Sequence, residues 1–328
     1  YPANHGRIGN KFPSVDRSRF YSVRDRESVQ DGSWYGGQPG WVAAENNGLV
    51  SAAYFFVGTE APVDGVPMSY WHQFDYSVPG MTRVQKALEW LSMPDKERPH
   101  MITLYFEDVD VATHRHGPGS PQSIASIKLV DSYLAALMEG VNALAIADQV
   151  YVVSVSDHGQ AGYIEGEEPF IIDTVIDLEG MIVVDHGTST FLYLREPDED
   201  RARSARDAIN RNWEHGRAML PTDAPADWRV SEGVGFADVI VQADPGYAVF
   251  TTAEVSEQNV VGNHGWPRED RNMHGIFMAA GPRLPKGILI PPIDNVDVYP
   301  LMMEVLDLPI TTPIDGDPDT LVKLLEPD

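Results

Sequence analysis

The chain contains no cysteine in 328 residues. It therefore has no disulfide framework and no thiolate metal site, and thiols say nothing of its redox compartment. Positive charge is scarce: 24 Lys and Arg stand against 49 Asp and Glu, a formal charge of −25. That balance argues against nucleic-acid phosphate or an anionic membrane as a bulk partner. It leaves room for a small anionic substrate held through metal ions, whose local field dominates at short range. No apolar run approaches the roughly 20 residues of a membrane-spanning helix. No Gly- or Ser-rich linker marks an independent domain. No signal peptide is visible, and because the chain opens on Tyr1 instead of Met, a segment upstream of it is expected.

What is present is enough for one large or two medium domains, with an apolar share of 43% to build a core. Residues 1–80 are rich in turn chemistry, as in Gly36-Gly37-Gln38-Pro39-Gly40. Trp41 to Asn47 reads as a short helix stopped by Gly48, and Leu49 to Val57 as a buried strand. Gly80 to Met93 places Val84, Ala87, Leu88 and Leu91 on one helical face. Met101 to Phe106 is a strand apolar on both sides. Ser120 and Pro121 open a long helix reaching about Ala147, and Gln149 to Val155 is the next strand. Strand, helix and strand in this order predict a right-handed crossover with the two strands as parallel neighbours. Residues 162–253 read as an inserted α+β lobe with strands at 182–184, 190–194, 239–242 and 248–251 and a helix at 200–215. A strand at 276–279 and a helix at 297–306 complete an α/β chain.

Polar ligand-type residues gather at three places. The first is Glu107-Asp108-Val109-Asp110-Val111-Ala112-Thr113-His114, just after a strand, where sites in open α/β sheets lie. Asp110 and His114 are four residues apart, so one helical turn puts both on one face. Read alone, Asp110 serves equally well as a turn residue and His114 as a solvated one. The second place is Ser156-Asp157-His158-Gly159, at the end of the next strand, where Gly159 permits the turn that would let Asp157 and His158 point together. The third is Gly262-Asn263-His264-Gly265-Trp266, with His264 as the natural extra ligand and His274 a weaker one. Asp185, His186 and His215 read as structural or surface residues.

Five N/O ligands and no sulfur exceed one tetrahedral zinc and point to two metal ions. A pair of ions about 4 Å apart would clamp the attacking and leaving oxygens of an in-line displacement at phosphorus. Mixed Asp/His ligation suits Zn²⁺ best, with Mn²⁺, Co²⁺ or Fe²⁺ compatible. One structural metal with scattered histidines is the plainer alternative.

The order Tyr105, Asp110, His114, Gly117-Pro118, then Ser156-Asp157-His158-Gly159, then His264-Gly265 resembles the nucleotide pyrophosphatase/phosphodiesterase family of the alkaline phosphatase superfamily. Tyr1-Pro2, Asn4-His5-Gly6 and Gly9-Asn10 are similar to the segment that follows the family's nucleophile. Trp41 to Glu45, Arg83 to Phe106 and Asp294 to Pro300 resemble family segments too. The likeness covers nearly the whole chain. It implies an alkaline-phosphatase-like fold: a central, mostly parallel sheet with helices on both faces. It implies one zinc on Asp110, His114 and His264 and a second on Asp157 and His158. It implies a threonine nucleophile that forms a phosphothreonine later cleaved by water. Asn10 matches the residue that donates to a non-bridging phosphoryl oxygen, and Tyr105 one that stacks on the nucleotide base, though a core aromatic explains Tyr105 as well.

The family's first strand, first metal Asp and nucleophilic Thr all precede the segment matched by Tyr1, and the earliest threonine here is Thr59. The expectation is a chain truncated at its N-terminus, inactive by itself and poorly stable, because an absent central strand exposes apolar surface. Trp266-Pro267 departs from the family's usual Tyr-Asp. The same core would also serve a phosphomonoesterase, a phosphonate hydrolase or a lysophospholipid phosphodiesterase. Without a nucleophile, it would also serve as a non-catalytic metal-binding or interaction module. The implied partner is a small phosphodiester or nucleotide, not a nucleic-acid polymer. Family members are commonly exported or anchored, so a periplasmic or secreted protein is expected.

Overall fold

The computed structural model describes residues 1–230, 235–255 and 260–325. Helix α1 (Gly40–Asn46) stops before Gly48, whose φ of +78° is a conformation glycine tolerates best. Strand β1 (Ser51–Tyr54) is buried throughout. It pairs in parallel with β2 (Tyr70–His72) on one side and β3 (Met101–Leu104) on the other. Helix α2 (Gly80–Leu91) turns Val84, Ala87 and Trp90 into the core. After β3 comes α3 (Asp108–His116), and then α4 (Pro121–Asn142), capped as expected by Ser120 accepting from the Ser123 N–H. Helices α2 and α4 cross closely because glycine stands at two contacts. A Cβ on Gly140 would lie 2.3 Å from Leu88, and one on Gly80 2.3 Å from Tyr133.

Strand β4 (Val152–Val155) corrects the expected topology. It is not hydrogen-bonded to β3; it pairs antiparallel with β11 (Phe277–Ala280), and among the described residues β3 pairs with β1 alone. The crossover rule governs the hand of a connection, not the adjacency of its strands, and the 22-residue α4 is long enough to carry the chain past a neighbouring position. Val155 in β4, Ile276 beside β11 and Met278 within it are exposed by 44%, 58% and 48%, so the β4–β11 pair is less well covered than the parallel sheet. The α/β class with mixed sheets holds.

Between β4 and β11 lie β5 (Ala161–Gly162), β6 (Met181–Val184), β7 (Ser189–Leu194), α5 (Glu199–Asn212), β8 (Gly216–Met219), β9 (Val239–Ala243) and β10 (Gly262–Asn263). Strands β6 to β9 form an antiparallel sheet in the order β8-β9-β7-β6. Alternation along β7 sends Leu192 and Leu194 to the α5 side, with Ile209, Val239 and Val241, while Tyr193 joins Ile240 and Met219 opposite. The sequence pattern shows no strand at β8. The strand read at 248–251 is only Val249–Phe250, parallel to Phe170–Ile171. β5 and β10 pair antiparallel and bring Ala161 opposite Asn263. The last helix, α6 (Val298–Val305), buries Val298, Leu301 and Met303. Among the described residues, no helix is long and apolar enough to cross a membrane.

One buried ion pair holds the end of β3 in place. Arg83 of α2 is 1% exposed and Glu107 8%. The guanidinium donates to both Glu107 oxygens, at 2.6 and 2.8 Å, and also to the Tyr105 and Val78 carbonyls at 2.7 and 2.9 Å. The Phe55 ring packs against its face, 4.8 Å from centroid to Cζ. Removing the cation strands a buried carboxylate and a strand-end carbonyl. Arg83→Met should therefore cost roughly 3–5 kcal/mol in urea unfolding; a loss below about 1 kcal/mol, the scale of an exposed pair, would refute that role.

Candidate metal centre

Helix α3 begins directly after Glu107, so the Arg83–Glu107 pair decides where its first turn points. Acidic Asp108 and Asp110 sit in that first turn and His114, Arg115 and His116 in the last, which complements the helix dipole. The four-residue spacing works as expected: His114 Nε2 lies 3.2 Å from Asp110 Oδ1. The segment bearing His264 follows β10, which packs on α3, and His264 Nε2 is 3.8 Å from the same oxygen. One ligand atom from each of Asp110, His114 and His264 lies within 4.8 Å of the others.

The fit to a cation rests on how the imidazoles are held. His114 Nδ1 is 2.8 Å from the Gly262 carbonyl, which can only accept, so Nδ1 carries a proton and Nε2 faces the carboxylate. His158 repeats the pattern, with Nδ1 3.0 Å from the Gly159 carbonyl and Nε2 3.4 Å from Asp157 Oδ2. Tethering one ring nitrogen to a carbonyl while presenting the other is how proteins orient histidine ligands. Two imidazoles and a carboxylate suit Zn²⁺ and its borderline neighbours.

The electrostatics agree. His114 is raised above 6.5, first by its hydrogen bond to Asp110 and against burial. Asp110 is lowered: burial opposes ionisation, but the His114 hydrogen bond and the three surrounding imidazoles outweigh it. His264 falls to about 4, first through burial and then through the neighbouring His158. His114 Nε2 thus faces Asp110 Oδ1 across the space a cation would take.

The remaining expected residues are less tightly gathered. The His158 ring stacks on His264 with centroids 3.5 Å apart at 14°, so the second strand end does reach the first group. Asp157 stays largely exposed, at 75% of its side chain. Asn10 is exposed just before the Lys11–Pro13 strand, its carbonyl accepting from the Val23 N–H. Among the described residues, no hydrogen bond joins the Asn10 side chain to Asp110, His114 or His264. Its neighbour Lys11 and the neighbour of His264, Gly265, line one cavity of about 280 Å³ together with Asp185, Tyr193, Trp228 and Gln242. Tyr105 is half-buried, and its phenol is raised by burial and then by the charges of Asp157 and Asp110, so it borders the cluster. Phe74 lies 6.2 Å from it and Tyr76 4.5 Å from Phe74. His274 is exposed and bonds the Arg268 carbonyl.

Several contributors carry no motif that marks them in the sequence. The Thr188 hydroxyl donates to the His264 carbonyl at 2.8 Å. The buried Gln242 amide donates to the Thr188 and Gly265 carbonyls at 2.9 and 3.2 Å. Gly265 has a φ of +95°, and a Cβ there would lie 2.7 Å from Thr188 Oγ1. Asn263 donates to the Tyr163 hydroxyl at 2.6 Å. The loop of His264 is thereby gripped at successive residues from β5 and the antiparallel sheet. Trp266 is buried, its indole N–H on the Tyr247 carbonyl, so it anchors this loop. Gln160, two residues beyond His158, donates to Asp110 Oδ1 at 2.6 Å.

A family model described as type I phosphodiesterase/nucleotide pyrophosphatase matches residues 1–267. Ectonucleotide pyrophosphatase/phosphodiesterase family member 1 of Mus musculus is 28% identical over 332 residues, covering 99% of this chain and 36% of that protein. Venom phosphodiesterase CdcPDE of Crotalus durissus collilineatus is 27% identical over 345 residues, covering 99% of this chain and 39% of that one. The chain thus spans little more than a third of these curated relatives. The structure of murine ectonucleotide pyrophosphatase/phosphodiesterase 5 matches with a TM-score of 0.90 at 23% identity, over 99% of this chain and 85% of that chain. The human form matches at 0.89 and 24% identity, over 100% of this chain and 85% of that chain. These likenesses show the shared fold.

Cation binding should be coupled to the His114 proton. Below the raised value of His114, Zn²⁺ affinity should climb roughly tenfold per pH unit with release of one proton, then level off above it. His264, already neutral above about 4, adds no step near neutrality. Chelator-competition titrations across pH check this; an affinity flat through the acid range would contradict the ligand role of His114.

Proposed function

The chain belongs to the type I phosphodiesterase/nucleotide pyrophosphatase family, and we propose that it carries the two-Zn²⁺ centre of an enzyme that hydrolyses phosphodiester or pyrophosphate bonds of nucleotides through a phosphothreonine intermediate, the nucleophilic threonine not being among residues 1–328. The observation that carries this reading is the convergence of Asp110, His114 and His264 from distant segments, His114 meeting Gly262 across 148 residues of sequence. Asp110, His114 and His264 would hold one cation, and Asp157 with His158 the other. Mn²⁺ or Co²⁺ would fit the same donors. When bound, such cations neutralise the phosphoryl oxygens and act as Lewis acids on them.

The other roles fall to this chain's own groups. Asn10 would donate its side-chain amide to a non-bridging oxygen, as an oxyanion-type donor. Tyr105, beside Phe74 and Tyr76, would offer an aromatic platform next to the cluster. Bases stack on such rings through their π-faces, which favours a nucleotide over a simple monoester. AMP sits in an inactive form of the murine neighbour, which supports the same substrate class. Residues 162–253 we read as an inserted lobe that shapes access to the centre. The attacking hydroxyl is not Thr59, which is 2% exposed and bonded to the Phe56 carbonyl at 2.6 Å. The names of the relatives, ecto-enzymes and venom enzymes, support a periplasmic or secreted location.

Zinc counted per chain after dialysis tests the assignment. Two ions are expected in the parent and one after Asp157→Ala or His158→Ala; a single ion in the parent would remove the second site. The polypeptide of residues 1–328 should leave a nitrophenyl phosphodiester at the background rate, with or without Zn²⁺. Turnover above background would show that these residues supply their own nucleophile.

A further inference from the structure

Asp110 carries the oxygen on which the cluster converges, yet its side chain is 37% exposed and hangs from the first turn of a helix. His114 Nε2 holds that oxygen here. A cation would take over that nitrogen, and the carboxylate would lose the imidazole as its hydrogen-bond partner. Among the described residues one side-chain donor would remain. Gln160 Nε2 reaches Asp110 Oδ1 at 2.6 Å.

The backbone around Gln160 is well fixed. Gly159 N–H donates to the Met273 carbonyl at 2.9 Å, and Ala161 pairs with Asn263. A Cβ at Gly159 would lie 2.1 Å from the Asn272 carbonyl, so the strand end approaches that segment as closely as the chain allows. The same short stretch therefore delivers the His158 ring to His264 and the Gln160 amide to Asp110. A neutral amide suits this position, because it orients a carboxylate without bringing a positive charge that would repel the cation.

We propose that Gln160 is a positioning residue of the centre, holding Asp110 Oδ1 toward His114 and His264 and so setting how tightly a divalent cation binds. The proposal rests on the metal reading under Proposed function, and the test separates the two. Zn²⁺ alone is titrated against a chromophoric chelator into the parent, Gln160→Met, Asp110→Ala and the double variant. Methionine keeps the length of the side chain and lacks the donor. Gln160→Met should raise the Zn²⁺ Kd roughly 10–100-fold while the melting temperature of the metal-free protein stays that of the parent. In the Asp110→Ala background it should cause no further change in Kd, because the amide's remaining contact, 3.5 Å to the Asp110 carbonyl, orients no ligand. An unchanged Kd overturns the proposal. So does a further loss in the Asp110→Ala background, which would make the role generally structural. Should Gln160→Met fold poorly, Gln160→Leu is read by the same cycle. If the parent binds Zn²⁺ no better than Asp110→Ala does, the metal reading fails instead.

Discussion

The buried pair of Arg83 and Glu107 is the constraint on which the rest of the site depends. It ties helix α2 to the residue from which helix α3 starts, and it satisfies the Tyr105 carbonyl where strand β3 ends. Two charges out of water are costly, and apolar residues of the same size often match such a pair in stability. They would not satisfy the Tyr105 and Val78 carbonyls or define the first turn of α3. What the pair contributes is direction: with α3 started at a defined angle, the spacing of Asp110 and His114 becomes a ligand geometry.

A chemical requirement follows from the charge. A chain with a formal charge of −25 repels nucleotides and their phosphoesters at long range. Divalent cations are drawn to the same field, and once held they invert it locally. Under the proposed reading, bound cations would serve both to attract the substrate and to act on it. His114 on helix α3 and His158 after strand β4 are arranged for that, each tethered at Nδ1 and presented at Nε2.

Much of this was legible in the sequence. Periodicity placed α2, α4 and α6, the Ser120-Pro121 pair placed a helix start, and ligand-type residues in Gly-flanked and strand-end loops named all three members of the Asp110 cluster. Adjacency of β3 and β4 was not legible, because a crossover helix reports hand and not separation. Strand β8 escaped because Gly216-Arg217-Ala218-Met219 has neither alternation nor β-branching. The grip of Thr188 and Gln242 on the His264 loop was invisible for another reason. Those contacts span 76 residues for Thr188 and 23 for Gln242, and neither residue type signals a site locally. Gln160 was closer to recognition: it lies two positions past His158, directly before strand β5.

The central claim is that Asp110, His114 and His264 form one cation site. Anomalous scattering at the zinc edge from Zn²⁺-soaked crystals tests it most directly. The account predicts a peak about 2.0–2.2 Å from Asp110 Oδ1, His114 Nε2 and His264 Nε2 at once. A peak bound elsewhere, or contacts to only one of the three at full zinc occupancy, would contradict it.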